Sequence, residues 1–306
     1  MAIAETFASP SRVTTVGDFF ALLKPRVMSL VIFTGLAGIV VAPGHVHPLT
    51  AFTALLCIAA AAGASGALNM AYDSDIDRLM SRTATRPIPM GHVGRDEAMA
   101  FGWTLAALAV AMMWLFVNVL AAALLAFTVF VYIGVYTLWL KRRTPQNIVI
   151  GGLAGALPPA IGWASVTGSL SLAPLVLVAI IFMWTPPHFW ALSLWRANDY
   201  ARAGVPMLPV VKGKPYTRRH ILIYTLALAP LGVLPAFVGL GGMLYLIVSA
   251  SMGFWMLLEA IATWRECDTV KEPAARRLFG VSLLYVFVPF AALIAEHLLH
   301  LPPLWT

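Results

Sequence analysis

The chain has 306 residues, 60% hydrophobic and 11% charged, with a mean hydropathy of +0.86; soluble domains are nearer half apolar and a quarter charged. A soluble enzyme, a disordered chain and a disulfide scaffold are excluded, the last because Cys57 and Cys267 are the only cysteines. The net charge of +7 does not indicate nucleic acid, because the basic residues follow a membrane-crossing pattern.

A helix crossing a hydrocarbon core of about 30 Å needs roughly 20 mainly apolar residues. Segments 27–42 and 49–71 are the first two candidates. Residues 98–140 carry no charged side chain. As one helix they would extend roughly 64 Å at about 1.5 Å per residue, twice the core, so they are expected to fold back near Asn118. Segments 146–166, 172–195, 221–240, 243–264 and 278–299 complete a set of nine. The alternation of a membrane β-strand is not seen.

All 20 Lys and Arg precede the first segment or lie in the connections after the second, fourth, sixth and eighth. The other connections, including the one with His45 and His47, have none. Basic residues are retained on the cytoplasmic side, so the amino terminus is expected inside and the carboxyl terminus outside. Residues 1–18 hold one Arg and no apolar run, which predicts no secretory leader there and a bacterial inner membrane as the address. The expected organisation is a cytoplasmic segment 1–20, a transmembrane domain 21–299 and an external tail 300–306.

Asn69, Asp73 and Asp77 recur at four-residue spacing, which sets them on one helix face with successive Cα atoms about 6 Å apart. Asp73 and Asp77 would repel as like charges on neighbouring turns, while Asp75 points to the other side. Mg²⁺ fits this pattern, since it binds through one or two carboxylates plus substrate phosphates. The plainer alternative is a polar helix end neutralised by Arg78 and Arg82. Arg82 and Arg86 then precede Pro87 and Pro89, which stop a helix, and guanidinium forks match phosphate oxygens. Acids for a metal beside arginines for phosphate predict a diphosphate site at the cytoplasmic membrane edge.

Asn69-x3-Asp73-x3-Asp77 followed by Arg82-Thr83-x2-Arg86-Pro87 resembles the first signature of the intramembrane aromatic prenyltransferase superfamily. Further stretches resemble the branch of that superfamily that farnesylates protohaem IX: Lys24-Pro25-Arg26-Val27, 141–152, Pro158-Pro159-x2-Gly162-Trp163, 184–192 and 199–211. The likeness covers residues 20–299. It implies an all-α membrane protein, with nine transmembrane helices bundled around a lipophilic central cavity and cytoplasmic loops capping the site. It also implies farnesyl diphosphate and protohaem IX as substrates, transfer to the 2-vinyl group with addition of water, and Mg²⁺ as cofactor. Many members carry a second Asp-x3-Asp motif after the sixth helix. Here only Asp199 is present, with Ala203 four residues later and Trp195 four before.

On this resemblance Asn69, Asp73, Asp77 and Asp199 hold the metal, the three carboxylates serving catalysis. Arg82, Arg86, Lys141 and Arg142 contact diphosphate, with Lys24 and Arg26 as further candidates. For each basic residue the alternative is topology determination or contact with lipid phosphate. His188, after Pro186 and Pro187, is a candidate for haem contact or an interfacial histidine bonded to a neighbouring carbonyl. Tyr132, Tyr136, Trp139, Trp184, Phe189 and Trp190 are expected mainly in helix packing or the interfacial belt. Glu259 is expected to snorkel or to pair with a neighbouring helix. Glu296, His297 and His300 are expected at a solvated helix end, and His45 and His47 likewise.

The lipid bilayer surrounds such a protein, nucleic acid is not expected, and association with a haem-modifying enzyme or oxidase assembly follows from the pathway alone. Besides a structural partner of an oxidase complex, which would not need Asn69, Asp73 and Asp77 on one face, two competing functions remain at this point. One is a prenyltransferase for a quinone precursor or chlorophyllide. The other is a multispan haem or cation transporter, whose acids would lie near the bilayer midplane.

Overall fold

The structure is a computed structural model and describes residues 14–268 and 271–304. Arg12 and parts of both expected terminal segments lie outside the described residues.

Among the described residues the chain is all helical. Helix α1 (Val16–Leu22) meets α2 (Pro25–Val41) at 55°. The bend sits at Lys24, whose backbone is left-handed (φ 53°, ψ 60°) and which caps the proline that starts α2. Then follow α3 (Pro48–Tyr72), the short α4 (Ser74–Leu79), α5 (Arg95–Phe116) and α6 (Val119–Phe130). Helix α6 runs directly into a π-helix, Val131–Leu140. After it come α7 (Asn147–Ala156), α8 (Pro158–Thr167), α9 (Leu172–Trp195), the short α10 (Ala197–Arg202) and α11 (Leu208–Val211), then α12 (Lys214–Phe237), α13 (Met243–Arg265) and α14 (Pro273–Leu298).

Among the described residues, eight spans of 21 to 26 residues are long and apolar enough to cross a membrane, and the bent α1–α2 pair, taken as one span, brings the number to nine. The fold-back expected near Asn118 is there. That residue caps α6, its side chain accepting from Ala121 N at 2.8 Å, and its amide donates to Ala164 O at 2.8 Å. The expected span 146–166 is two helices, because Pro158 and Pro159 interrupt the hydrogen-bond ladder between α7 and α8. Helix α12 begins seven residues before its apolar segment, since hydropathy marks the crossing stretch rather than the helix end.

One continuous apolar core runs through the spans. Where lipid gives no hydrophobic drive between helices, close approach depends on small residues, and α2 against α8 shows it. A Cβ on Gly38 would lie 2.0 Å from Pro159 O, and one on Gly162 2.1 Å from Gly35 O. At the far end Glu296 departs from the expected solvated position. It is buried and accepts from Gly242 N at 2.6 Å and Tyr245 N at 2.8 Å, capping the exposed amides that begin α13. Glu259 pairs with Arg277 of α14 at 3.1 Å, one of the two outcomes expected for it.

Replacing Gly38 by Ala is expected to cost about 1–3 kcal/mol through overpacking, seen as a lowered Tm in detergent. Gly155→Ala, where a Cβ meets nothing within 4 Å, should leave Tm unchanged.

Candidate active site

Helix α3 ends at Tyr72, and Asp73 (φ −95°, ψ 9°) bends the chain into α4. The helical bond pattern nevertheless passes through the bend: Asp73 N donates to Asn69 O at 3.0 Å and Asp77 N to Asp73 O at 2.8 Å. The three residues therefore keep their common side, and all are buried, Asp73 at 0% exposure and Asp77 at 2%.

Cations close on them from three separate elements. Lys141, at the end of the π-helix, forms an ion pair with Asp73 Oδ2. Asn69 Nδ2 donates to the same oxygen at 2.6 Å and to Thr137 Oγ1 at 3.2 Å, while Asn69 Oδ1 accepts from Lys24 Nζ at 2.8 Å. Arg86 donates to Asp77 Oδ2 at 2.6 Å, and Thr83 Oγ1 to Asp77 O at 2.8 Å. Arg142 forks onto the exposed Asp75 with two contacts of 2.7 Å and stands 3.7 Å from Asp73 Oδ1. That fork holds the Asp75 carboxyl below the usual carboxylate range. Arg82 and Arg26 are exposed, and neither forms an ion pair with these acids.

Asp199, on α10, joins the same end of the bundle through Ser81, whose Oγ donates to Asp199 Oδ2 at 2.7 Å. Arg202 also pairs with it, and Arg196 stands at 3.4 Å. The Ser81 hydrogen bond, with the Arg202 bond and charge, holds the Asp199 carboxyl below its ordinary value. A small apolar cluster formed by Ile76, Met80, Ile148, Tyr200, Ala203, Val205 and Met207, with Tyr136 against it, packs these loop helices together over the site.

Among the described residues no three His, Cys, Asp or Glu side chains converge as a ready-made metal cage. Mg²⁺ does not require one, since it retains waters and takes phosphate oxygens beside one or two carboxylates. Asp73 Oδ1 is buried with no hydrogen-bond partner, which suits a carboxylate that donates to a metal. The donor set fits the ion.

Residues 31–293 match the model of the UbiA prenyltransferase family. The chain belongs to the UbiA prenyltransferase family. Its relatives include the protoheme IX farnesyltransferases of Parvibaculum lavamentivorans, 62% identical over 93% of this chain and 90% of that one, and of Azorhizobium caulinodans, 61% identical over 92% of each. Solved structures share the fold. A UbiA homologue from Aeropyrum pernix K1 superposes with a TM-score of 0.72 at 21% identity, covering 89% of this chain and 98% of that one. A UbiA homologue from Archaeoglobus fulgidus bound to GPP and Mg²⁺ gives 0.64 at 16% identity, covering 91% and 99%.

His188 of this UbiA chain lies in α9, seven residues before its end, with its ring stacked between Trp184 and Phe279, each at 4.4 Å between centroids. Its Nδ1 is 2.6 Å from Ser282 Oγ, so its partner is a hydroxyl rather than the carbonyl considered from sequence. Trp184 and Trp190 are buried packing residues, whereas Trp139 is exposed on the outer surface of the bundle. Thr83 stands in the signature read from the sequence without a role of its own, and Ser81 and Thr137 do not appear in it. Single hydroxyl residues carry no spacing signal, and their partners lie 6, 118 and 68 positions away.

Arg86→Gln leaves the Asp77 carboxylate, whose side chain is 3% exposed, without its cation. A loss of about 3 kcal/mol is expected, measured by unfolding in detergent. Combining it with Asp77→Asn should restore part of that loss, and Arg82→Gln alone should leave stability unchanged.

Proposed function

We propose that this chain transfers farnesyl from farnesyl diphosphate to the 2-vinyl group of protohaem IX, with addition of water and release of diphosphate, giving haem O. The observation that carries the reading is a fully buried carboxylate, Asp73, at the end of a span, hydrogen-bonded on Oδ2 and without a hydrogen bond on Oδ1, where Arg142 stands at 3.7 Å. The high identity to protoheme IX farnesyltransferases supports the choice of donor and acceptor.

The chemical task is to break an allylic C–O bond so that the vinyl group attacks the allylic cation. Mg²⁺, when bound, supplies stabilisation of the negative charge that develops on the departing diphosphate. Asp73 and Asp77 would hold it with Asn69, and Asp199, tied to Ser81 and Arg202 on α10, would contribute as a separate carboxylate. Arg82 has its guanidinium open to solvent and takes diphosphate oxygens directly. Arg86, Lys141 and Arg142 already stand beside the acids and gain phosphate as a second partner, with Lys24, bonded to Asn69, and the exposed Arg26 as further contacts. The apolar cap around Tyr136, Tyr200 and Met207 limits water reaching the cation. His188, held through its Nδ1 by Ser282, offers its other ring nitrogen to haem.

The distribution of basic residues supports an amino terminus in the cytoplasm, an external carboxyl terminus and residence in a bacterial inner membrane. Acids gathered at the end of a span beside arginines suit a phosphorylated substrate better than a permeating ion. A downstream haem-modifying enzyme or oxidase-assembly factor is the partner this activity would feed.

Purified protein given haem, farnesyl diphosphate and Mg²⁺ is expected to yield hydroxyethylfarnesyl haem by mass spectrometry, none with chelator, and no prenylated 4-hydroxybenzoate. Asp73→Ala and Asp77→Ala should each lower turnover by about 10²- to 10³-fold while still inserting and remaining monodisperse. Prenylation of 4-hydroxybenzoate in place of haem would reassign the acceptor, and normal turnover by the two variants would remove the metal site.

A further inference from the structure

Thr137 is buried in the π-helix Val131–Leu140, and its side-chain hydrogen bonds run to Tyr132 and Asn69. Its hydroxyl donates to Tyr132 O, five residues back, at 2.8 Å. A threonine has one hydroxyl proton, and that bond uses it. Toward Asn69, therefore, Thr137 presents only lone pairs. Asn69 answers with its Nδ2, at 3.2 Å.

The consequence runs along the Asn69 amide. With one Nδ2 hydrogen on Thr137, the other points at Asp73 Oδ2, 2.6 Å away, and Oδ1 is left facing Lys24 Nζ at 2.8 Å. Turning the amide over would set its NH₂ against an ammonium and its carbonyl against a carboxylate, and would leave Thr137 without a donor. Asp73 is fixed in turn. Asn69 and Lys141 both hold Oδ2, so Oδ1 is the oxygen without a hydrogen bond. The π-helix is what makes this chain of contacts possible. In its i to i−5 pattern, Tyr132 and Thr137 share one line and Tyr136 and Lys141 another, since Lys141 N donates to Tyr136 O at 2.9 Å. One segment thus delivers both the hydroxyl acceptor for Asn69 and the ammonium for Asp73.

We propose that Thr137 is a positioning residue of the diphosphate and metal site: by accepting from Asn69 while donating into the π-helix, it fixes the Asn69 amide and turns the free oxygen of Asp73 toward the bound cation. The proposal rests on the metal reading given above. Partners that orient a metal's ligands are generally worth 10- to 100-fold in affinity or activity.

The test is a Mn²⁺ titration by electron paramagnetic resonance on the full-length protein in detergent, in the presence of farnesyl thiodiphosphate, which does not ionise. It is accompanied by kcat and KM for farnesyl diphosphate and haem. Thr137→Val keeps the shape and removes the hydroxyl; it is expected to weaken Mn²⁺ binding by about 10-fold or more and to lower kcat with the KM for haem unchanged. Thr137→Ser keeps both bonds and is expected within about twofold of the parent chain; it also stands in should the valine variant not fold. Thr137→Val with parental Mn²⁺ affinity, or Thr137→Ser as impaired as the valine, overturns the proposal. Failure of the parent chain itself to bind Mn²⁺ with the analogue is a different result, and it removes the underlying metal reading together with this inference.

Discussion

A carboxylate taken fully out of water at the end of a membrane-crossing helix costs several kcal/mol unless charge and hydrogen bonds are brought to it. Asp73 is in that position, at 0% exposure where α3 gives way to α4. Lys141 comes to it from the π-helix, Arg142 from the turn that follows, and Asn69 from one turn earlier, itself steadied by Lys24 from the bend before α2. Three elements remote in sequence are thereby joined at one point. Their agreement on Asp73 fixes that end of the bundle more tightly than apolar packing alone, which between lipid-facing helices is weak in direction.

The irregular backbone collects at the same end. Lys24 holds a left-handed conformation, a state that costs of order 1–3 kcal/mol for a residue other than glycine, and its Nζ meets Asn69. The π-helix is ten residues long, well beyond the single turn usual for that form, and its last residues lead straight into Lys141 and Arg142. Asp73 itself interrupts a helix. Such departures from regular geometry are tolerated where surrounding contacts over-determine them, and here the contacts are the ion pairs of the site. Farther along, Asp199 is tied back by Ser81 and Arg202, so the loop helices α4 and α10 close over the same region.

Much of this was legible before any coordinates. The apolar segments matched the spans in number, because burial in lipid imposes a length rule that a sequence must display. The four-residue spacing of Asn69, Asp73 and Asp77 showed the acid face, although it did not show the bend at Asp73, since a single residue between two helical stretches leaves no periodic trace. Lys141 and Arg142 were recognisable as basic residues near the site, but the π-helix that aims Lys141 was not, because Val131–Leu140 reads as ordinary apolar helix. Glu296 departs from its expected solvated place for a related reason. A carboxylate near a chain end looks solvated until the start of α13 is seen to need an acceptor. Hydroxyl partners such as Ser81 and Thr137 depend wholly on tertiary contact.

A diphosphate held by a divalent ion against Asp73 and Asp77 is the central proposal. An electron cryomicroscopy structure with farnesyl thiodiphosphate and Mg²⁺ tests it most directly. The diphosphate should lie at the junction of α3 and α4 within reach of Lys141 and Arg82, with a metal ion at Asp73 Oδ1. Density for the diphosphate at the opposite membrane face, or Asp73 and Asp77 turned away from it, would contradict the account.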